Sequence, residues 1–341
     1  MKITHIGIDI AKNVFEVYGV NEQGVMVLSR TLKRGGVLEF FAQLEPCEIG
    51  MEACGSAHHW ARELRKLGHE AKLIAARFVS PYRKNDKNDR NDADAICEAL
   101  TRPNMRFVPV KAPEQQAVRT VHRSRSLLIR ERTALINHIR GLLAEFGIPV
   151  SQGAHRLRSR LPEILEDAEN GLPDLARECF AELYHRLCEL EKRLTGYDRR
   201  IAVLARETPG VVQLMSLPGV GVLTATAVLA SVGDPRQFRN GRQFAAWLGL
   251  VPRQYSTGGK PRYGRITKRG DVYLRTLLIH GARSVLRNVG RRDDRVAHWA
   301  QALRERRGSN KAAVALAAKN ARILWAMMAY KKSYAATPAL P

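Results

Sequence analysis

The chain has 341 residues, of which 56 are Lys or Arg and 33 are Asp or Glu, so its formal net charge is +23. This excess of cations is not typical of an enzyme of small metabolites, and it makes a polyanion the first partner to consider. A hydrophobic fraction of 45% is enough for packed cores and excludes disorder throughout. The length suggests two or three domains.

Neither the membrane nor the secretory pathway is indicated by the sequence. The most apolar stretch, 312–330, contains Lys319, Asn320 and Arg322, and no stretch reaches the about 20 uncharged apolar residues of a membrane span. The first residues lack the basic and apolar segments of a secretory signal. The cysteines lack the paired spacing of a zinc site and indicate reduced thiols. We therefore expect a cytoplasmic protein.

The first hundred residues predict strands that alternate with helices. Apolar runs at 4–10, 14–20 and 24–29 predict three consecutive antiparallel strands. The next predicted elements are a helix at 36–44, a strand at 47–53, a helix at 57–67, a strand at 71–75 and a helix that opens near Asn91. This order, βββαβαβα, implies an α/β domain whose mixed sheet is covered by helices on both faces.

The middle of the chain predicts two long helices. Residues 113–146 form a strongly basic one, since nine arginines between Arg119 and Arg160 are opposed only by Glu131 and Glu145. Residues 147–173 are interrupted by Pro and Gly and are expected to be a connector.

The second long helix, 173–204, carries an apolar heptad seam. Its residues are Phe180, Leu183, Leu187, Leu190, Leu194, Tyr197, Ile201 and Leu204. The seam allows two structures: a helical hairpin that packs within one chain, or a coiled-coil arm that pairs with another subunit. The length of the seam favours the coiled coil.

From Val211 onward the chain is expected to be mainly helical, with a compact basic loop region at 249–275. Ten Lys and Arg lie between Arg236 and Arg275, opposed only by Asp271. The last helix, at 310–330, would serve as a lid or core element, followed by a frayed tail. The expected domains are 1–112, 113–207, 208–333 and a tail at 334–341.

Acidic residues interrupt this basic background at three places. Asp9 lies inside the first predicted strand and Glu52 at the end of the fourth, where burial without a partner costs several kcal/mol. Asp89 and Asp92 are three residues apart and share a face if the helix already runs there; otherwise they are a cap or solvated charges. Four carboxylates offer the oxygen ligands that Mg²⁺ or Mn²⁺ prefers, and two such ions can promote phosphodiester transfer. The layout is that of ribonuclease H-like domains, which favours the metal interpretation.

Two further motifs suit phosphate. The turn Leu217-Pro218-Gly219-Val220-Gly221 is similar to a helix-hairpin-helix. In such a motif, backbone N–H groups near Gly219 and Gly221 would bind phosphate without reading the nucleotide sequence. The alternative is a simple turn with glycines at a C-cap. Ser256 and Thr257 precede a Gly-Gly pair. Ser256 is either a phosphate contact or a nucleophile that forms a covalent intermediate, and without an evident His-Asp partner the residues alone favour the contact.

Basic side chains around these motifs are the candidate nucleic-acid contacts, because they can neutralise backbone phosphates. They are Lys12 after the first strand, Arg119, Arg123, Arg125 and Arg130 in the basic helix, and Lys260, Arg262, Arg265, Lys268 and Arg269 around Ser256.

The motifs together resemble the DEDD transposases of insertion sequence family 110, in particular its 1111 subgroup. The matching segments, which span nearly the whole chain in order, are Gly7-Ile8-Asp9-Ile10-Ala11-Lys12, Met51-Glu52-Ala53-Cys54-Gly55, Lys87-Asn88-Asp89-Arg90-Asn91-Asp92-Ala93, Leu217-Pro218-Gly219-Val220-Gly221, Gly249-Leu250-Val251-Pro252 and Ser256-Thr257-Gly258-Gly259-Lys260. Each segment alone is weak, whereas the ordered set is specific.

The resemblance implies a RuvC-like domain whose quartet Asp9, Glu52, Asp89 and Asp92 binds Mg²⁺ or Mn²⁺, a coiled-coil insertion, and a C-terminal transposase domain with Ser256 as nucleophile. The family's catalytic serine is usually followed directly by Gly, so Thr257 is the alternative here. The resemblance further implies a nucleoid-associated bacterial recombinase that is guided by a structured bridge RNA, exchanges donor and target DNA strands, and assembles from dimers to a tetramer.

The heptad seam also suggests that the metal quartet of one subunit and Ser256 of another act on one phosphodiester. Two other functions remain open from the sequence. A Holliday-junction endonuclease would hydrolyse DNA with water and would not need Ser256, and a non-catalytic nucleic-acid-binding protein would need none of the four acids.

Overall fold

The computed structural model describes residues 2–84 and 88–336, and the chain divides into two compact units, residues 1–112 and 113–341. The strands are β1 His5–Ile10, β2 Val14–Val20, β3 Met26–Lys33, β4 Glu48–Glu52, β5 Glu70–Ile74, β6 Phe107–Val108, β7 Pro252–Gln254 and β8 Tyr263–Ile266. The helices are α1 Val37–Ala42, α2 Ala57–Lys66, α3 Ala76–Val79, α4 Asp89–Leu100, α5 Pro113–Glu145, α6 Ala154–Glu166, α7 Asp174–Glu207, α8 Val211–Met215, α9 Val222–Val232, α10 Gly241–Trp247, α11 Val272–Arg287, α12 Arg295–Arg307 and α13 Ser309–Tyr330.

Two predicted features lie partly outside the described residues. Lys87, which begins one of the motif segments, is one of them, and residues 337–341 of the predicted tail are the others. The predicted boundary at 207/208 within the second unit stays a prediction.

The first unit contains a six-stranded mixed sheet in the order β3-β2-β1-β4-β5-β6. Strand β1 is antiparallel to β2 and parallel to β4, β5 is parallel to β4, and β6 is antiparallel to β5. The predicted mixed sheet is therefore confirmed. Helix α3 and strand β6 were missed because four and two residues are too few to show a period.

Helices cover both faces of this sheet. Ile6 and Ile8 of β1 belong to a buried cluster with Phe41 of α1 and Trp60 of α2. Helix α4 packs on the opposite face. Because successive residues of a strand face opposite ways, the odd-numbered residues of β1 point towards α4.

The predicted connector at 147–173 is wrong in one respect, because it contains α6. Leu157, Leu161 and Ile164 recur at helical spacing and are buried in a cluster with α5 and α7. Pro162 lies inside this helix, and that residue made the segment resemble a loop.

The heptad seam of α7 is buried within the chain. Phe180, Leu187 and Leu190 lie in the same cluster as Ile139 and Leu143 of α5. The structure therefore favours the helical hairpin of the two alternatives, and the coiled-coil arm stays a prediction with no support from this seam.

The rest of the second unit is mainly helical, as predicted, around a second buried cluster drawn from α8 to α13. Helix α13 is long and apolar enough to cross a membrane by length and composition alone. Leu316, Asn320 and Leu324 are nevertheless buried in the cluster or beside it, and the Asn320 side chain donates to the Pro218 carbonyl at 2.9 Å. Helix α13 is thus a core element of this unit.

Candidate active site and nucleic-acid interface

Strand register brings Asp9 and Glu52 to one end of the sheet. Ile8 of β1 pairs in parallel with Met51 of β4, so Asp9 and Glu52 are the next residues along two neighbouring strands. Both have the opposite orientation to the buried Ile8 and Met51, which pack towards α1 and α2. Asp9 and Glu52 therefore face the side of the sheet on which α4 lies.

Helix α4 reaches this end of the sheet because β1 has glycine at position 7. A Cβ on Gly7 would lie 2.2 Å from the Ala93 carbonyl oxygen and 2.5 Å from the Cys97 amide nitrogen. A side chain would therefore force the helix away from the strand. Asp89 is the first residue of α4, and Asp92 is one turn into it.

The start of α4 is fixed by a cap. The Asn88 side chain accepts a hydrogen bond from the Asn91 backbone N–H at 2.8 Å, which is the standard arrangement for Asn at an N-cap. Carboxylates in the first turn are also favoured by the helix dipole. Asp89 and Asp92 thus have a local role in helix initiation as well as a place beside Asp9.

The pKa of Asp9 responds to the charges of the other three acids. Burial raises the pKa of Asp9 from 3.8 to about 6, and the charges of Asp92, Asp89 and Glu52 add to this rise in that order. A hydrogen bond from the Ile10 backbone N–H opposes this shift. Four acceptor-rich carboxylates that repel one another are chemically suited to a divalent cation.

The acids are grouped electrostatically but do not form a closed ligand shell. In residues 2–84 and 88–336, no three His, Cys, Asp or Glu side chains converge closely enough to hold a metal ion. Asp92 is 9% exposed and is held by Arg83, whose Nε lies 2.5 Å from its Oδ1. The donor set fits Mg²⁺ or Mn²⁺ in its chemistry, and Arg83 would compete with a metal ion for the Asp92 carboxylate.

Two neighbours of the acids were missed in the sequence. Arg83 was missed because nothing in its spacing distinguishes it from other surface cations. Cys54 lies just after β4, and partial burial of its thiol, followed by the charges of Glu52 and Asp9, raises the pKa of that thiol. All five cysteines are free thiols, as predicted.

The predicted basic loop at 249–275 contains a β-hairpin formed by β7 and β8. Gly258 and Gly259 both have positive φ, 55° and 75°, and Thr257 bridges Lys260 across them. This is a two-residue hairpin turn that requires positive φ at both positions. The hairpin was missed because each strand is short and polar, without an apolar face.

Ser256 lies exposed on this hairpin. Its Oγ accepts hydrogen bonds from Gln254 Nε2 at 2.9 Å and from the Arg262 backbone N–H at 3.2 Å. The hairpin sequence, 252–266, contains no acidic residue and no histidine. The five predicted contacts around Ser256 are all exposed, namely Lys260, Arg262, Arg265, Lys268 and Arg269.

The base of the hairpin is fixed to the core by close backbone contacts. A Cβ on Gly249 would lie 2.1 Å from the Arg269 carbonyl oxygen, and a Cβ on Gly270 would lie 1.9 Å from the Trp247 carbonyl oxygen. The buried Arg275 donates to the Leu248 carbonyl at 3.1 Å. A rigid base therefore carries an exposed basic tip.

The turn at Gly219 and Gly221 joins α8 to α9. Gly219 has a φ of 86°, and a Cβ there would lie 2.8 Å from the Gly281 carbonyl oxygen in α11. Gly221 precedes α9, is exposed, and has open space around it. Gly219 thus has a packing role, and only Gly221 lies at an accessible helix start. Helix α8 has five residues, so the helix-hairpin-helix stays a prediction.

The remaining predicted contacts differ in their surroundings. Lys12 is exposed in the turn after β1, close in sequence to Asp9, and Arg130 is exposed on α5. Arg125 pairs with Asp198 of α7, with Nε 2.5 Å from Oδ1, and so joins α5 to α7. Arg119 and Arg123 line one pocket with the start of α11.

Comparisons with known proteins identify the family. Residues 212–297 match the transposase IS116/IS110/IS902 family, and residues 6–148 match a transposase family of the DEDD IS110 type. A probable family 20 transposase of Pseudomonas aeruginosa is 53% identical over 335 residues, which cover 98% of this chain and 99% of that protein.

Two further relatives are transposases of insertion sequences. The transposase for insertion sequence element IS1111A of Coxiella burnetii is 45% identical over 96% of this chain and 90% of its own length. The transposase for insertion sequence element IS1328 of Yersinia enterocolitica is 38% identical over 95% and 96%. The chain therefore belongs to the IS110/IS116/IS902 family and is a DNA transposase of an insertion sequence.

Proposed function

We propose that this transposase cleaves and rejoins DNA strands with a divalent metal at Asp9, Glu52, Asp89 and Asp92 and with Ser256 as the nucleophile. The observation that carries the proposal is the position of Asp9, whose pKa is raised by burial and by the three other carboxylates. A protein of charge +23 gains nothing for phosphate binding from such a group of acids unless a cation bridges the two.

The fold of the first unit supports a RuvC or ribonuclease H-like assignment. Its strand order runs β3-β2-β1-β4-β5, with β1 to β3 antiparallel and β1, β4 and β5 parallel. The acids stand at the ends of the two central strands and at the start of the helix that packs on them. Catalytic groups commonly occupy such strand ends.

The metal would be Mg²⁺ or Mn²⁺, because all four candidate ligands are carboxylates. When bound, it would supply charge stabilisation at the phosphate oxygens. Asp9 and Glu52 would hold it from the sheet, and Asp89 and Asp92 from α4. Arg83, which pairs with Asp92, would offer a cation to the substrate phosphate beside the acids.

Ser256 would act through its hydroxyl oxygen. The Ser256 hydroxyl gives up its proton to solvent as the Oγ–P bond forms and the bond from phosphorus to one deoxyribose oxygen breaks, and the departing oxygen takes up a proton as a hydroxyl. The phosphodiester energy is conserved as a serine–DNA linkage, and reversal of the step on another strand completes the exchange. Lys260 and Arg262 would neutralise the phosphate during both steps.

Donor and target DNA and a structured bridge RNA are the proposed partners. The net charge supports a nucleic-acid partner, and the two basic regions, on α5 and around the hairpin, offer separate surfaces for it. Specificity delegated to base pairing would explain why no base-reading motif is evident in the sequence. Sequencing the RNA that co-purifies with the protein tests this: one structured species encoded beside the gene is expected, and random cellular RNA would contradict guidance.

A homo-oligomer, a dimer that assembles to a tetramer, is part of the proposal. Mixing Ser256→Ala subunits with Asp9→Ala subunits should restore strand exchange if different subunits supply the two groups. No recovery in the mixture would refute a shared site.

The second candidate function is a Holliday-junction endonuclease that uses water. It is favoured by one observation: the Ser256 hydroxyl is bonded to Gln254 and Arg262, and the hairpin sequence offers no carboxylate or imidazole to activate it. Both functions require the acids and differ in their need for Ser256.

A covalent-adduct assay separates these two functions. Purified transposase carrying its co-purifying RNA, with labelled donor DNA and Mg²⁺, should yield a protein–DNA species that survives denaturation, disappears in Ser256→Ala and persists in the neighbouring control Thr257→Ala. Cleavage by Ser256→Ala at the wild-type rate, without any adduct, would establish the hydrolytic enzyme instead. An adduct lost only in Thr257→Ala would move the nucleophile by one residue.

A further inference from the structure

A pocket in the second unit lies apart from the acids and from the hairpin tip in sequence. Its volume is about 320 Å³, and its walls come from α5, α9 and the start of α11. Arg119 and Arg123 of α5 lie on one side, Ser231 of α9 on another, and Asp271 and Tyr273 at the start of α11 on the third.

Two arginines supply positive charge to this pocket. Among the described residues, neither the Arg119 nor the Arg123 guanidinium forms a hydrogen bond or an ion pair. Burial, and then the charge of Arg123, lowers the pKa of Arg119. Asp271 is the acid in the pocket, and its carboxylate accepts the Leu274 backbone N–H at 3.1 Å, so two cations are opposed by one engaged acid.

The start of α11 faces the same space. This helix has 16 residues, and the N–H groups of its first turn, at Val272 and Tyr273, have no partner within the helix. Helix starts of this kind bind phosphate through their N–H groups and dipole.

Ser231 provides a second, independent indication of a ligand. It is 9% exposed, it lines the pocket, and its hydroxyl has no hydrogen-bond partner among the described residues. Its Oγ is accessible rather than enclosed, so it can bond to a group that enters the pocket. A hydroxyl that points into a basic pocket can donate to a phosphate oxygen.

His122, which also lines the pocket, holds Tyr273 in place. Its Nδ1 lies 3.0 Å from the Tyr273 hydroxyl and its Nε2 lies 3.0 Å from Thr226 Oγ1. Burial, and then the charge of Arg125, lowers the pKa of His122 to about 4, so the ring is neutral near pH 7. His122 is therefore a positioning residue that fixes the first turn of α11 against α5 and α9.

We propose that this pocket binds one backbone phosphate of a nucleic-acid strand, with Arg119, Arg123, Ser231 and the first N–H groups of α11 as its ligands. The proposal rests on the proposed nucleic-acid activity and adds a specific binding site for one phosphate of the strand. DNA and guide RNA present the same phosphate chemistry, so the experiment includes both.

The test measures binding of labelled DNA duplex, single-stranded DNA and structured RNA to the full-length protein by fluorescence anisotropy, in EDTA, over a range of salt concentrations. EDTA prevents metal-dependent strand cleavage, so the assay measures binding alone. A negative result would refute phosphate binding in this pocket without refuting the catalytic proposal, and a failure of the catalytic proposal would not refute phosphate binding. Ser231→Asp places a negative charge in the pocket and should weaken binding at least tenfold. Arg119→Met should weaken it several-fold and lower the slope of log affinity against log salt by about 0.7 to 0.9, the value expected for one phosphate contact.

The matched control is Arg186→Met, which removes the same charge from an exposed position on α7 and should leave the affinity within twofold. Ser231→Ala removes only the hydroxyl, and we expect it to lower the affinity about threefold. Because this variant introduces no charge into the protein, a loss of affinity in Ser231→Ala does not result from misfolding around a buried charge. If Ser231→Asp and Arg119→Met weaken the binding of DNA but not of RNA, the pocket binds DNA; if they weaken the binding of RNA but not of DNA, it binds RNA. Wild-type affinity and salt slope for Ser231→Asp and Arg119→Met with every probe would overturn the proposal.

Discussion

The close approach of α4 to β1 at Gly7 gives the sharpest prediction about the acid group. In Gly7→Ala the new Cβ would lie 2.2 Å from the Ala93 carbonyl oxygen, whereas ordinary contact begins at 3.4 Å. Helix α4 must therefore move by about 1.2 Å, because the opposing atoms are backbone and cannot rotate away. Overpacking of this kind costs about 1–3 kcal/mol, and a clash with backbone places Gly7→Ala at the upper end.

The displacement should also weaken metal binding, since Asp89 and Asp92 move with α4 while Asp9 stays with β1. Changes that misplace metal ligands typically cost about 10–100-fold in affinity. Hydrogen exchange of peptides from β1 and α4 measures the loss of stability, and calorimetric titration with Mn²⁺ measures the loss of affinity. Both should change in Gly7→Ala.

The control is Gly36→Ala in the same unit. Gly36 has a φ of −93°, and a Cβ added there would meet no described atom within 4 Å, so this variant should stay within about 0.5 kcal/mol of the wild type. If Gly7→Ala exchanges at the wild-type rate and binds Mn²⁺ as tightly, α4 does not determine the spacing of the acids and the argument fails.

Three further predictions concern charge and glycine. The pKa of Asp9 is about 6 in the folded chain, higher than its ordinary 3.8. Between these two pH values the folded state therefore holds a proton that the unfolded chain has released. Without metal, the contribution of Asp9 to stability is lost as pH rises through 6. Thermal melts at pH 5 and pH 7.5 in EDTA should show a drop that Asp9→Asn reduces and Mg²⁺ reverses; an identical drop in Asp9→Asn would contradict this. Arg83→Gln frees Asp92 from a pair worth about 1 kcal/mol, so calorimetry should show roughly fivefold tighter Mn²⁺ binding, and weaker binding would show that Arg83 supports the site. Gly219→Ala should lower the melting temperature, whereas Gly221→Ala should leave it unchanged and weaken DNA binding in anisotropy measurements; wild-type binding by Gly221→Ala would exclude a phosphate contact there.

The sequence predicted the first unit well because its strands obey a simple period. The runs at 4–10 and 14–20 are close to β1 and β2 as found, and Asp9 is conspicuous because it interrupts an apolar strand. The role of Arg83 could not be predicted, because it depends on which surface cation the fold brings to Asp92. Sequence separation hides such a pairing.

The second unit was predicted less completely. Helix α6 was hidden by Pro162, and the β7–β8 hairpin by its lack of apolar residues. The heptad seam of α7 was recognised, but a seam alone does not specify its partner, and here α5 and α6 of the same chain occupy it. The pocket at Ser231 is lined by three helices that are distant in sequence, so no local sequence pattern predicts it.

The hairpin turn at Gly258 and Gly259 has a stereochemical consequence for the choice between the two candidate hydroxyls. The Thr257–Lys260 bridge brings Thr257 directly to the turn, whereas Ser256 lies one residue before it and its Oγ accepts the Arg262 backbone N–H. The two hydroxyls therefore have different surroundings although they are adjacent in sequence. A DNA phosphate that reaches Ser256 Oγ must approach the part of the hairpin where Gln254 and Arg262 lie, and one that reaches Thr257 must approach the Gly258–Gly259 turn.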